Sequence, residues 1–172
     1  MIRDLDIRIT KTCNQLTIKN KFLTSFLKFI THSSSGIIYI VYAIAIPFLL
    51  PKYGVSIIKL GIIGFGFQVP IYILSKNLIK RERPYVHHNI NQAINPPDKY
   101  SFPSGHCASS TLLTLTVNQY MPWVTPYLII WLATIIYSRI GLGLHYFSDA
   151  LFGVIFGVIS FLIANLFVTA FL

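Results

Sequence analysis

The sequence predicts an all-α fold: a polytopic bundle of about five membrane-spanning helices behind an N-terminal amphipathic interfacial segment. Three observations lead there. Charged residues make up only 11% of the chain and hydrophobic ones 54%, whereas soluble domains carry about 25% charged residues. Residues 29–51 and 100–138 contain no Lys, Arg, Asp or Glu, and the second stretch is long enough to cross a bilayer twice. The charges that remain gather at the ends of such stretches. With 172 residues, a single membrane-embedded domain spanning 1–172 is expected, with 1–28 as a surface segment and 29–172 as the helical core.

The 14 lysines and arginines outnumber the 5 aspartates and glutamates. Such an excess marks either nucleic acid or an anionic membrane surface as the partner. The apolar length excludes nucleic acid and leaves the bilayer. Cys13 and Cys107 lie far apart and form neither a disulfide framework nor a zinc spacing. Asp4, Asp6 and Arg8 interrupt any signal-peptide core.

Within residues 1–28, Ile2, Leu5, Ile9, Cys13 and Leu16 recur at roughly helical spacing, and Arg3, Arg8, Lys11, Lys19, Lys21 and Lys28 add basic charge. This pattern predicts one or two amphipathic helices on the membrane surface, with the basic residues solvated. Leu5, Ile7 and Ile9 also alternate as in a strand. The apolar core 37–50 predicts a first span, tilted or shallow. Pro51, Lys52, Tyr53 and Gly54 predict a tight turn. A second span covers 55–75, with Lys59 snorkelling near its start, Gly61, Gly64 and Gly66 permitting close packing, and Pro70 kinking it. These glycines are no phosphate loop, since no strand precedes them and no Lys-Ser/Thr follows. Residues 85–101 read as a polar loop in which His87 and His88 are solvated. Spans at 107–120, 124–138 and 150–172 complete the bundle, with Trp123 at the interface.

Alternation of spans puts three polar clusters on one membrane face. Lys76 and Arg83 are two helical turns apart, so both can share a helix face, and Pro84 ends that helix. Alone they read equally as a basic membrane anchor. Pro103, Ser104, Gly105 and His106 open a helix. Gly105 admits a close ligand approach, and free N–H groups favour an anion; alone this is an ordinary capped turn. Ser138 and Arg139 precede His145 and Asp149, which stand four apart, so Asp149 can hold the His145 ring. The bland alternative is a buried polar pair, but ionisable groups at membrane depth are costly and by default functional. Together these residues suit phosphoryl transfer. Three cations neutralise a phosphate, one histidine attacks phosphorus and the other protonates the leaving oxygen. Zinc on His106, His145 and Asp149 is the rival chemistry, and the neighbouring cations would repel the ion.

In this order, Lys76, Arg83 and Pro84, then Pro103, Ser104, Gly105 and His106, then Ser138, Arg139, His145 and Asp149 resemble the signature of the type 2 phosphatidic acid phosphatase superfamily. The signature covers about the middle half of the chain. Leu5-Asp6, Phe22-Leu23 and Ile30-Thr31 fit the family loosely, and many members have six spans against the five read here. The resemblance implies that His145 is the nucleophile forming a phosphohistidine and that Asp149 orients it. It also implies that His106 is general acid and then base, and that Lys76, Arg83, Ser104, Gly105 and Arg139 bind the phosphate. Neither metal nor cofactor is implied. The implied substrates are membrane lipids: undecaprenyl diphosphate, phosphatidylglycerol phosphate, phosphatidate or lipid A phosphate. The implied place is the cell (inner) membrane, multi-pass, with the site on the extracytoplasmic face. The positive-inside count disagrees, because the site side also collects Arg3, Arg8, Lys11, Lys19, Lys21 and Lys28. Competing functions are a lipid phosphotransferase using the same intermediate and a non-catalytic binding or transport protein for lipid phosphates. A vanadate-dependent peroxidase is opposed by the hydrophobic spans.

Overall fold

The computed structural model describes residues 2–171, excluding the side chain of Ile2. Met1, at the start of the expected surface segment, and Leu172, at the end of the expected fifth span, lie outside the described residues, as does the side-chain part of Ile2 in the N-terminal periodicity. The chain folds as α1 (Ile2–Lys19), α2 (Lys21–His32), α3 (Gly36–Leu49), α4 (Gly54–Ile79), α5 (Pro84–His87), α6 (Gly105–Tyr120), α7 (Thr125–Gly141) and α8 (Phe147–Phe171). A short 3-10 turn, Pro122–Val124, joins α6 to α7. The N-terminal ambiguity resolves as helix, and α4 runs through Pro70 without interruption.

Residue size decides which way each helix faces. On α8 the buried positions are Asp149, Ala150, Gly153, Gly157, Ser160 and Ala164, while Leu151, Phe152, Leu162 and Leu166 point outward. Lipid is as apolar as leucine, so helices gain by bringing small side chains together and leaving large ones to the bilayer. A Cβ at Gly153 would stand 2.5 Å from the Ser104 carbonyl oxygen, and one at Gly157 2.5 Å from that of Ala108. Glycine at these two positions lets α8 seat directly on α6. Of the three glycines expected to pack closely on α4, only Gly64 has a neighbour, Leu112; Gly61 and Gly66 face open space.

The expected count of five spans is not reached by length and apolarity. Among the described residues, three segments are long and apolar enough to cross: Gly54–His87, Pro122–Gly141 and Phe147–Phe171. A fourth is added only if α2 and α3, which meet at 58°, count as one broken span. Helix α6 falls short for a physical reason. Its 16 residues extend only about 24 Å, and Ser110, Thr111, Thr114 and Thr116 are buried along it. It is the polar centre pole of the bundle, packed against α4, α7 and α8.

Helix α1 lies the other way round from a simple surface helix. Asp6, Thr10, Asn14 and Thr17 form its buried face, while Leu5 and Leu16 are exposed. Asn14 Nδ2 donates to the carbonyls of Asn91 and Gly141, each at 2.9 Å, and its Oδ1 accepts from the Asn91 N–H at 2.9 Å. One side chain thereby satisfies a free carbonyl at the end of α7 and pins the loop before α6.

Candidate active site

The cation-rich end of the bundle is assembled from four elements. The end of α4 brings Lys76, the segment before α5 brings Arg83, the start of α6 brings Ser104, Gly105 and His106, and the end of α7 with the loop to α8 brings Arg139 and His145. All are drawn together with Asp149, but Lys76 and Arg83 do not share a helix face as expected: α4 ends at Ile79, and Pro84 opens α5 instead of closing the helix that carries Lys76. Arg83 and Arg139 are 1% and 2% exposed and His145 is 2% exposed, so their charges and hydrogen bonds act in a poorly solvated setting, where both count for more.

His145 hangs in the α7–α8 loop. Its Nδ1 donates to the Ser101 carbonyl at 2.7 Å. This bond fixes the tautomer and leaves the lone pair on Nε2, which lies 3.5 Å from Arg83 Nη1. The hydrogen bond expected from Asp149 goes elsewhere: its Oδ2 stands 3.8 Å from Nδ1 and instead accepts from the Tyr146 N–H at 2.8 Å. That is a carboxylate closing the first turn of α8 back onto the preceding residue, as in a capping box. Burial pushes the His145 imidazole well below its ordinary range, and Arg139, Arg83 and Lys76 push the same way.

Arg139 Nη1 donates to Thr31 Oγ1 at 2.8 Å. Among the described residues its Nε has no hydrogen-bond partner, and Ser104 Oγ, which lies against the buried Cys107 thiol, has none of ordinary geometry. Ser104 is held by its own N–H, which donates to the Asp149 carbonyl at 3.0 Å. Gly105 has Tyr72 packed over it, and an added Cβ would meet that ring at 2.9 Å. The His106 ring faces the charges of Arg139, His145, Asp98 and Arg83. It also borders a groove of about 600 Å³ between α3, α4 and α6, whose lining includes Tyr39, Ile57, Phe65, Tyr72 and Leu112.

Several residues at the site have no counterpart in the sequence motifs. Asp98 Oδ1 accepts from Lys76 Nζ at 2.6 Å and from Arg83 Nη2 at 2.5 Å, and its Oδ2 accepts from Tyr72 OH at 2.9 Å. Burial works against this carboxylate, but Lys76, Tyr72 and Arg83 together hold its pKa down at about 2. Arg81 Nη1 donates to Asp149 Oδ1 at 2.6 Å and Nη2 to Asp6 Oδ2 at 2.7 Å. Asp6 also accepts from the Ser148 N–H at 2.9 Å, and Thr10 Oγ1 accepts from the Phe147 N–H at 3.2 Å. These satisfy the free donors at the start of α8, where an anion is favoured. The basic residues Arg3, Arg8, Lys11, Lys19 and Lys21 are exposed, as the sequence suggests, while the opposite, polar face of α1 is buried against the core. One signal was available, since Asp6, Thr10, Asn14 and Thr17 recur at helical spacing as a polar stripe. His87 is exposed and pairs with Glu82. No group of three or more His, Cys, Asp or Glu among the described residues is placed to hold a metal ion.

Fold and site define a helical membrane protein with an anion-seeking cluster of cations backed by two histidines. The chain belongs to the PAP2 superfamily, whose family model matches residues 50–171. It is 36% identical over 87 residues to decaprenylphosphoryl-5-phosphoribose phosphatase of Mycobacterium tuberculosis, covering 51% of this chain and 48% of that protein. The Mycolicibacterium smegmatis protein of the same name is 32% identical over 81 residues, covering 47% and 43%. The chain thus spans about half the length of the curated relatives it matches. Among solved structures, Aquifex aeolicus LpxE superposes with a TM-score of 0.83 at 21% identity, covering 94% of each chain. The transmembrane PAP2-type phosphatidylglycerolphosphate phosphatase of Bacillus subtilis superposes with a TM-score of 0.77 at 19% identity, covering 99% of this chain and 88% of that one. These likenesses establish a shared fold.

Proposed function

We propose that the chain is a metal-independent lipid phosphatase of the cell membrane that works through a phosphohistidine and opens to the extracytoplasmic face. The observation that carries this reading is that Ser104 Oγ and Arg139 Nε, both at the cation-rich end, are among the buried side-chain atoms without a hydrogen-bond partner within the described residues. Buried donors are normally satisfied, and a phosphate oxygen supplies the missing acceptor.

The reaction runs in two displacements. The Nε2 lone pair of His145 attacks phosphorus, the bond from phosphorus to the leaving oxygen breaks, and protonated His106 gives that oxygen its proton. Neutral His106 then takes a proton from water, the hydroxide attacks phosphorus, the N–P bond breaks and inorganic phosphate departs. Lys76, Arg83, Ser104, the Gly105 N–H and Arg139 carry the negative charge throughout. Asp149, 3.8 Å from Nδ1, stabilises the imidazolium through space, and residues 1–28 work with the core as one unit through Asp6. The groove beside His106 takes the lipid tail while the phosphate stays at the interface. The mycobacterial relatives are named for a decaprenylphosphoryl substrate, which supports a long-tailed lipid phosphate.

The test is phosphate release by detergent-purified protein with a chelator present. The panel is undecaprenyl diphosphate, decaprenylphosphoryl-5-phosphoribose, phosphatidylglycerol phosphate, phosphatidate and lipid A. Release that disappears in His145→Ala is the expected result. Release retained by purified His145→Ala would sink the mechanism, and no release by folded wild-type protein from any of these lipids would sink the function.

A further inference from the structure

Two of the three cations assigned to the phosphate are already engaged by an anion of the chain itself. Lys76 and Arg83 converge on one oxygen of Asp98, at 2.6 and 2.5 Å, and Tyr72 takes the other at 2.9 Å. A carboxylate presents two oxygens, whereas a bound phosphomonoester presents three free ones. The donors left over are Ser104 Oγ and Arg139 Nε, so the set of donors is larger than the anion now seated in it. Arg139 also feels the charge of Asp98.

We propose that Asp98 holds the place of the substrate's phosphate, and that a lipid phosphate enters by turning this carboxylate out of the cradle into water. The inference rests on the phosphatase reading above. Relative exposure says which partner moves. The Asp98 side chain is 34% exposed, against 8% for Lys76 and 1% for Arg83. Asp98 sits on the irregular stretch between α5 and α6, while Lys76 is fixed on a long helix.

The cations have other anchors. Lys76 Nζ also donates to the Tyr100 carbonyl at 2.6 Å. Arg83 donates to the Leu144 carbonyl at 2.7 Å and, through Nε, to the main-chain carbonyl of Asp98 at 3.2 Å. Neither cation needs the Asp98 carboxylate to stay in place. Its presence instead lowers the affinity of every incoming anion by one common factor, the fraction of molecules in which the cradle is vacated. That factor matters most for weak binders. The phosphodiester headgroups that fill a bilayer carry one charge each and would otherwise crowd three converging cations; a terminal phosphate carries more charge and more acceptor oxygens and still displaces the carboxylate. Asp98 therefore acts as an affinity-setting gate: it leaves the ratio of affinities for terminal phosphates and diester lipids unchanged and lowers the occupancy of the cradle by both, so that only the tighter binder fills it.

The experiment is calorimetric titration of the purified full chain in mildly alkaline buffer with two probes, inorganic phosphate and dihexanoyl phosphatidylglycerol. Wild type, Asp98→Asn and Asp98→Glu are compared. The expected result is that Asp98→Asn binds both probes about tenfold tighter or more, by a similar factor, while Asp98→Glu stays near wild type. Unchanged or weaker binding by folded Asp98→Asn overturns the inference, leaves the phosphatase reading standing, and makes Asp98 a buttress of the two cations. Failure of wild type and both variants to bind phosphate at all overturns the phosphatase reading and the inference with it.

Discussion

Arg81 and Asp149 stand 68 positions apart in the chain, yet Nη1 of one lies 2.6 Å from Oδ1 of the other. The same guanidinium reaches Asp6 of α1 at 2.7 Å and stacks on the Tyr146 ring at 3.9 Å. The N-terminal helix, the segment after α4 and the start of α8 are thus tied at one cation, which packs on the residue next to His145.

Arg81→Met should be costly. Asp149 has no exposed side-chain surface, while Arg81 keeps 27%, so the variant strands a buried carboxylate that retains mainly its bond from Tyr146. Breaking such a pair from one side costs about 3–5 kcal/mol, toward the lower end here because Arg81 is partly solvated. Thermal unfolding in detergent measures it. Asp6→Asn, which leaves the Arg81 to Asp149 contact in place, should cost less.

The α6–α8 crossing admits no side chain at Gly157. A Cβ there meets backbone at 2.5 Å, which cannot swing aside as a side chain can. Gly157→Val should therefore destabilise by about 1–3 kcal/mol or more, read as a lowered melting temperature. Gly61→Val, where an added Cβ would meet no described atom within 4 Å outside its own helix, should leave the melting temperature within error of wild type.

Acid should weaken the fold through His145. Its folded pKa lies well below the ordinary 6.5, so the unfolded chain binds more protons as pH falls from about 6.5. Stability contributed by the neutral ring is present above that value and declines below it. Asp98 adds a second decline in a lower window, because its carboxyl is held at about 2 from 3.8. Its contribution is present above 3.8 and is lost as pH falls toward 2. Melting temperatures followed from neutral pH to pH 5 should fall, and His145→Gln should flatten that slope.

On the proposed mechanism, His106→Ala removes the acid but leaves the nucleophile. Its kcat should drop by about 10²–10⁴, the range for general acid–base catalysis, with KM changed little. A substrate bearing a better leaving group, such as an aryl phosphate, should recover much of the first step, visible as a burst of phenol. The absence of any burst would argue against His106 as the acid.

The cations and histidines are legible in the sequence because each sits at the edge of an apolar run, where a charge is conspicuous and alternation of spans dictates its side. Asp98, Arg81 and Asp6 are not legible in that way. They lie in polar stretches where a charge is ordinary, and their meaning comes from partners 15 to 142 positions distant. The tautomer of His145 is the sharpest case. Four-residue spacing points to Asp149, whereas the ring's hydrogen bond goes to the Ser101 carbonyl, a group that every residue carries and no side-chain pattern reveals. The small-residue face of α8 could be read from sequence only once its partner was known, whereas the polar stripe of α1 is visible in the sequence and only its burial against α8 is not.

Composition and periodicity by themselves determined that this chain is a bundle of helices in a membrane with a cationic, histidine-bearing end, because apolar length and charge placement are local properties of the chain. Tertiary structure alone decided that α6 is a polar centre pole packed against α4, α7 and α8. It also decided that α1 caps α8 through Asp6 and Thr10, and that Asp98 sits among the cations. Those outcomes depend on which buried donors meet which acceptors, and that pairing is settled by packing across the whole fold.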